Sequence, residues 1–211
     1  MKNKILLLII PFVCFLSCIK REKHEISSNE KIDNIKAIGN NSKTDQFIPD
    51  GYVILDSIPG NLNLDKFDDL ILILKKADEE ITVKTKPDTE NRIFLILLGQ
   101  KDDSYKLAIR NEHAIYGLDY ISWLGIDDPY EKTEINKNGS FTIKLSGGQI
   151  RAFEESYMFI YSSDDQDWLL SRTTQGHSSN NDDGWETIHR TSEEFGHITF
   201  SQFDINKIIR K

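Results

Sequence analysis

From Tyr52 onward the chain alternates short apolar runs with clusters of turn-forming residues. "YVILDSI" (52–58), "DLILILKK" (69–76), "RIFLILLG" (92–99) and "SYKLAIRN" (104–111) are rich in Ile, Leu, Val and aromatic residues, and each is only seven or eight residues long. Runs of that length bounded by Gly, Asn, Asp and Lys read as strands. "DLILIL" and "IFLILL" do not alternate, which is the pattern of a strand buried on both faces. "GQKDDS" between the third and fourth runs reads as a hairpin connection.

The second half repeats the theme. "KTEINKNGSFTIKLSG" places Asn138-Gly139 between two alternating runs, a strong hairpin signal because these residues accept the left-handed backbone a tight turn needs. "AFEESYMFIYSS" (152–163) and "DWLLSRTT" (167–174), joined by "DDQ", form a second hairpin whose alternation puts Tyr157, Phe159 and Tyr161 on one face. "WETIHRT" (185–191) is a further strand. Thr191 or Ser192 followed by "EEFG" predicts a one-turn capped helix, and "ITFSQFDI" closes the domain. About eight short strands with no long helical period predict an all-β fold, an antiparallel β-sandwich or open barrel, over residues 48–211. "NEHAIYGLDYISWLGIDDPYEKT" (111–133) is the longest irregular connection, with room for a small helix.

Upstream the pattern changes. "MKNKILLLIIPFVCFLSC" has Lys2 and Lys4, an apolar run from Ile5 to Leu16, then Ser17 and Cys18. Charged start, short apolar core and small residue are the parts of a secretory signal, and the run is too short to span a bilayer comfortably. A cysteine directly after the small residue resembles the bacterial lipobox, with Phe15 where leucine is commonest. The resemblance implies a signal peptide over 1–17, a mature chain beginning at Cys18, and a diacylglycerol on its thiol. The expected location is the bacterial cell envelope, membrane-anchored and facing the periplasm or the cell surface. Residues 18–47 are rich in Lys, Glu, Asn and Ser, too poor in apolar surface to order themselves, and read as a flexible tether spanning about 30 Å.

Composition sharpens this. The only cysteines are Cys14 and Cys18, so a mature domain would have no disulfide and would rest on its core. Removing residues 1–17 takes two lysines and no acid, leaving 24 basic against 34 acidic side chains, net −10. That balance argues against nucleic acid as a ligand, because phosphate backbones require clustered positive charge.

One loop carries a candidate metal pattern. "GNLNLDKFDDLILIL" (60–74) spaces Asn61, Asn63 and Asp65 at alternate positions, with the carbonyl of Phe67 and then Asp69 following, as a tight oxygen-lined calcium loop does. The stretch resembles the FG-GAP or integrin-type calcium loop, roughly D-x-[DN]-x-D-G-x-x-D-hydrophobic running directly into a strand. Asn61 stands in place of the first aspartate and Lys66 in place of the glycine. The departures leave two routes open: weak calcium binding, or a loop closed by Asx-type hydrogen bonds to its own amides with Lys66 neutralising the acids. With its later elements, the chain over about 50–205 is similar to bacterial secreted proteins and lipoproteins that carry one such segment. That resemblance implies an architecture and a location rather than a reaction.

Other chemistry is sparse. "GIDDPY" (125–130) puts Asp127 and Asp128 near Trp123 and Tyr130, a pairing of carboxylates and aromatics that suits carbohydrate binding or hydrolysis but equally a turn. "SSNNDDGWE" (178–186) reads as a surface loop. His24, His113, His177, His189 and His197 show no metal-ligand spacing, and nucleophile-elbow, phosphate-loop and zinc signatures are missing. The functional expectation is a lipid-anchored envelope protein that binds a protein or envelope polymer and needs no cofactor. Alternatives are a hydrolase using Asp127 or Asp128 with His113, His177 or His189, and an acidic inhibitor or immunity protein with a basic partner.

Overall fold

The computed structural model describes residues 43–82, 90–118, 128–147, 152–178 and 184–208. Cys18, the signal segment and most of the tether lie outside them, as do Trp123, Asp127 and residues 179–183. The described residues form nine strands: β1 (Tyr52–Gly60), β2 (Asp69–Lys76), β3 (Arg92–Gly99), β4 (Tyr105–Ile115), β5 (Tyr130–Ile135), β6 (Phe141–Gly147), β7 (Phe153–Ser162), β8 (Asp167–Ser178) and β9 (Trp185–Thr191). Three single-turn helices, α1 (Glu79–Thr82), α2 (Ser192–Phe195) and α3 (Ile205–Ile208), complete the set.

The strands make two antiparallel meanders, β1-β2-β3-β4 and β5-β6-β7-β8-β9, each pairing only neighbours in sequence. Their apolar faces meet in one core: Ile71, Ile73, Phe94 and Ile96 from the first sheet, Phe141, Ile143, Tyr157, Phe159 and Trp168 from the second. This is the all-β sandwich that the short, turn-bounded runs predict. Aromatic rings dominate its centre. Phe94 stacks on Phe141 at 5.6 Å, and Phe200 meets Phe94, Phe141 and Phe159 edge to face at 4.7–5.1 Å. Such pairs add about 0.5–1.5 kcal/mol each beyond their buried area.

β2 and β3 are buried on both faces, as their unbroken apolar runs require. Ile71, Ile73, Phe94 and Ile96 face the inter-sheet core. Leu70, Leu72, Leu74, Ile93, Leu95 and Leu97 form a second cluster against which Phe47, Ile48, Tyr52 and Tyr105 pack. The packed chain therefore starts earlier than composition suggests: Asp45–Phe47 is a 3-10 turn, and Thr44 is already buried. β4 likewise runs four residues further than expected, through Ile115, so much of the long connection after residue 111 is strand.

Three of the described hairpin loops, β3–β4, β5–β6 and β7–β8, share one device. Each reverses through a single left-handed residue near its end: Asp103 (φ 60°), Gly139 (φ 75°) and Gln166 (φ 50°). In the Asn-Gly turn, Gly139 N donates to Asn136 O at 3.0 Å and Asn136 N to Ser140 O at 2.8 Å. Only the glycine of the pair takes positive φ. The C-terminal "ITFSQFDI" is not a full strand. It touches β8 through a single bridge, Leu169 to Thr199, and then turns Phe200 and Phe203 inward. Asn111 Nδ2 fixes that turn by donating to Phe200 O (2.6 Å) and Phe203 O (2.9 Å).

Candidate functional site

The loop from Asn61 to Asp69 uses its polar groups on itself. Asp69, fully buried, accepts from Leu62 N at 2.8 Å and from Gly99 N at 2.9 Å, one amide on each oxygen. Burial raises its pKa, opposed by those amides. Asp65 accepts from Phe67 N at 2.7 Å and from Asn63 Nδ2 at 3.0 Å, and Asn63 Oδ1 accepts from Asp65 N. Asn61 Nδ2 donates to Asp65 O. These are the Asx-type closures that the departures from the calcium pattern allow.

A cation needs about six or seven oxygens turned toward one point. Here all four carboxylate oxygens of Asp65 and Asp69 are engaged by N–H donors, and of the side-chain oxygens only Asn61 Oδ1 is buried without a partner. Among the described residues no group of three or more His, Cys, Asp or Glu is placed to hold a metal. As arranged, the loop's carboxylates are bound by its own and neighbouring N–H groups. Two details differ from expectation. The left-handed residue is Leu64 (φ 61°), not Lys66, and Lys66 lies over the Phe67 ring at 5.3 Å instead of neutralising the acids.

Asp128 is also committed. Its carboxylate takes Arg92 Nη2 at 2.7 Å and the Tyr130 amide at 2.9 Å, while Arg92 donates from Nε and Nη2 to Glu79 at 3.0 and 2.9 Å. Arg92 is 1% exposed and Glu79 5%. This ion cluster pins α1 and the start of β5 to the first residue of β3. The hydrolase expectation set Asp127 or Asp128 beside a histidine; Asp127 lies outside the described residues, and the described histidines have neighbours other than Asp128. His177 Nε2 lies 3.4 Å from Glu186, His189 Nδ1 3.0 Å from Thr174 Oγ1, and His197 Nε2 3.1 Å from Asp165. His113 lies near Asp204.

What the pattern of residues did not reveal is a groove on the second sheet. Strand alternation puts Lys144, Glu154, Ser156, Thr174, Trp185 and Thr187 on the face away from the core, and they line one depression of about 360 Å³ together with Glu131 and Gly176. Its lining draws on all five strands, so it crosses the sheet perpendicular to them. Four strand spacings of about 4.8 Å give it a length of about 19 Å.

Trp185 closes one end. A Cβ built on Gly176 would stand 2.6 Å from Cζ2 and 2.8 Å from Nε1 of the indole. The ring therefore packs directly against the glycine's backbone, and the residue keeps 46% of its surface exposed. Beneath the groove, on the core side of β7 with Tyr157, burial pushes the Glu155 carboxyl up to about 7, partly offset by the Tyr157 hydroxyl that donates to it at 2.9 Å. Lys144 is paired with Glu134 at 2.8 Å. The groove thus offers an aromatic side chain and hydroxyls, and its carboxylates outnumber its one lysine. A tryptophan facing the same side as a glycine across the strand pair was the signal available in sequence, but it needed the β8–β9 register, Gly176 opposite Thr187, to be read.

Comparison with protein-family models, with curated proteins and with solved structures finds no match to this chain.

Proposed function

We propose that this protein is a lipid-anchored binding module of the bacterial cell envelope whose ligand is an extended, largely uncharged polymer, a glycan strand of the envelope, held in the groove across β5–β9. The observation that carries the reading is the exposed indole of Trp185 packed against Gly176 at the end of a five-strand polar groove. A pyranose ring has an apolar C–H face and a hydroxyl rim. It stacks on an aromatic face while its hydroxyls exchange hydrogen bonds with side chains such as Ser156, Thr174 and Thr187. A groove of about 19 Å accommodates several such units, and its excess of carboxylates suits a neutral chain better than a polyanion. Attachment through Cys18 would hold the module beside that polymer.

The test is co-sedimentation of the full chain with purified insoluble peptidoglycan, and titration with soluble chito-oligosaccharides followed by tryptophan fluorescence. We expect saturable binding that Trp185→Ala weakens at least tenfold with the fold intact by circular dichroism. Equal binding by wild type and Trp185→Ala, or no binding to either polymer form, would remove the groove as the site. Metabolic labelling with a radioactive fatty acid, lost in Cys18→Ser, tests the anchor separately.

A further inference from the structure

The opposite face of β9 carries a second, chemically different cavity. It measures about 430 Å³ and lies between β9, α2 and α3, with Phe195, Ile198 and Ile208 as apolar walls and Arg190 at one side. We propose that it binds a small monoanionic apolar carboxylate, with the Arg190 guanidinium as the anchor. The proposal is independent of the glycan reading, since Arg190 faces the core side of β9 and Trp185 the other.

The charge inventory points to an anion. Two carboxylates line the cavity, and both are engaged: Glu194 accepts from the Thr191 amide at 3.0 Å, and Asp204 accepts from Lys207 at 2.9 Å and from the Asn206 amide at 3.0 Å. Arg190 has no carboxylate partner among the described residues. Its Nη1 donates to Gln175 Oε1 at 2.6 Å. A guanidinium can only donate, so the Gln175 amide must turn its oxygen toward Arg190, and this orients Nε2 the other way. Gln175 is 8% exposed, and its Nε2 is buried with no acceptor. The Arg190 guanidinium thus stands at the cavity wall with a neutral amide oxygen, and no carboxylate, as its acceptor among the described residues.

A carboxylate completes that arrangement. Its two oxygens match the parallel N–H pairs of a guanidinium, and an aliphatic tail would cover the isoleucine and phenylalanine walls. Glu194 and Asp204 nearby disfavour a dianion such as phosphate, so the ligand is limited to a single negative charge.

The experiment uses the full chain in maltoside detergent and [1-¹³C]octanoate, with detergent alone as the blank. We expect a saturable change in the carboxyl carbon resonance, at least tenfold weaker affinity in Arg190→Gln, and partial rescue in Arg190→Lys. Octanamide, which has the same tail without the charge, should compete at least tenfold less well against wild type. That comparison needs no mutant and holds even where Arg190→Gln fails to fold. Octanamide competing as well as octanoate, or no saturable change with octanoate, would overturn the proposal.

Discussion

Replacing Arg92 by methionine tests the buried ion cluster most directly. The substitution keeps most of the side chain's bulk and removes the charge, leaving Glu79 buried with the Leu118 amide, 3.1 Å from Oε1, as its one remaining partner among the described residues. Breaking a buried pair from one side costs about 3–5 kcal/mol, because the surviving ion keeps its desolvation and loses its countercharge. Against a typical domain stability of about 5–15 kcal/mol that is a large fraction. At about 2–4 °C per kcal/mol for a domain of this size, the melting temperature should fall by about 6–20 °C. Asp128→Asn should cost far less, about 1 kcal/mol, since Asp128 is more than one-third exposed and water screens it. The double substitution Arg92→Met with Glu79→Met removes both buried charges and should recover much of the loss. Urea unfolding of wild type, Arg92→Met, Glu79→Met and the double variant, read by circular dichroism, supplies the cycle. An Arg92→Met loss under 1 kcal/mol, or a double variant no more stable than Arg92→Met, would refute the view that burial of the uncompensated carboxylate is the cost.

Three further outcomes follow from geometry. Asp69→Ala orphans the Leu62 and Gly99 amides at about 1–3 kcal/mol each, and wild type should melt at the same temperature in excess EDTA and in millimolar calcium; a calcium-dependent rise would show that the loop rearranges around an ion. Glu155, with a folded pKa of about 7 against about 4.5 unfolded, holds its proton more tightly in the native state, so its contribution is complete below about pH 4.5 and lost as pH rises toward 7. Its ceiling is about 3 kcal/mol, and Glu155→Gln should flatten that part of the stability–pH curve, which a pH series of urea melts measures. Gly176→Ala should lift the Trp185 ring off the sheet, shifting its fluorescence and weakening glycan binding severalfold, whereas unchanged emission would mean that the ring does not rest where the glycine lets it.

The strands were legible because their signals are local. "DLILILKK" and "RIFLILLG" match β2 and β3 to the residue, since an apolar run bounded by turn residues has few other ways to bury itself. Tyr157, Phe159 and Tyr161 share the core face through simple alternation. The one-turn helix after Thr191 was equally readable, with Glu194 returning to the Thr191 amide. What could not be read depends on partners distant in sequence. Arg92 looks like the polar start of a strand until Glu79 and Asp128 arrive from 13 residues before and 36 after. The spacing of Asn61, Asn63, Asp65 and Asp69 describes a ligand shell or a self-closed loop equally well. Gly99 bears on the loop from a distant strand, because its amide takes an oxygen of Asp69 and its missing side chain lets the Asp68 carbonyl approach.

That loop also determines how the sandwich comes apart. Leu62 is fully buried in the inter-sheet core; its amide is bound by Asp69 of the first sheet, and its carbonyl accepts from the indole Nε1 of Trp168 in the second at 3.2 Å. A single residue thus couples the hydrogen-bond networks of both meanders. Two sheets that pair only within themselves could have melted as separate units. Joined at Leu62, they are expected to exchange their core amides with solvent at one common opening free energy, as a single cooperative unit without a softer half.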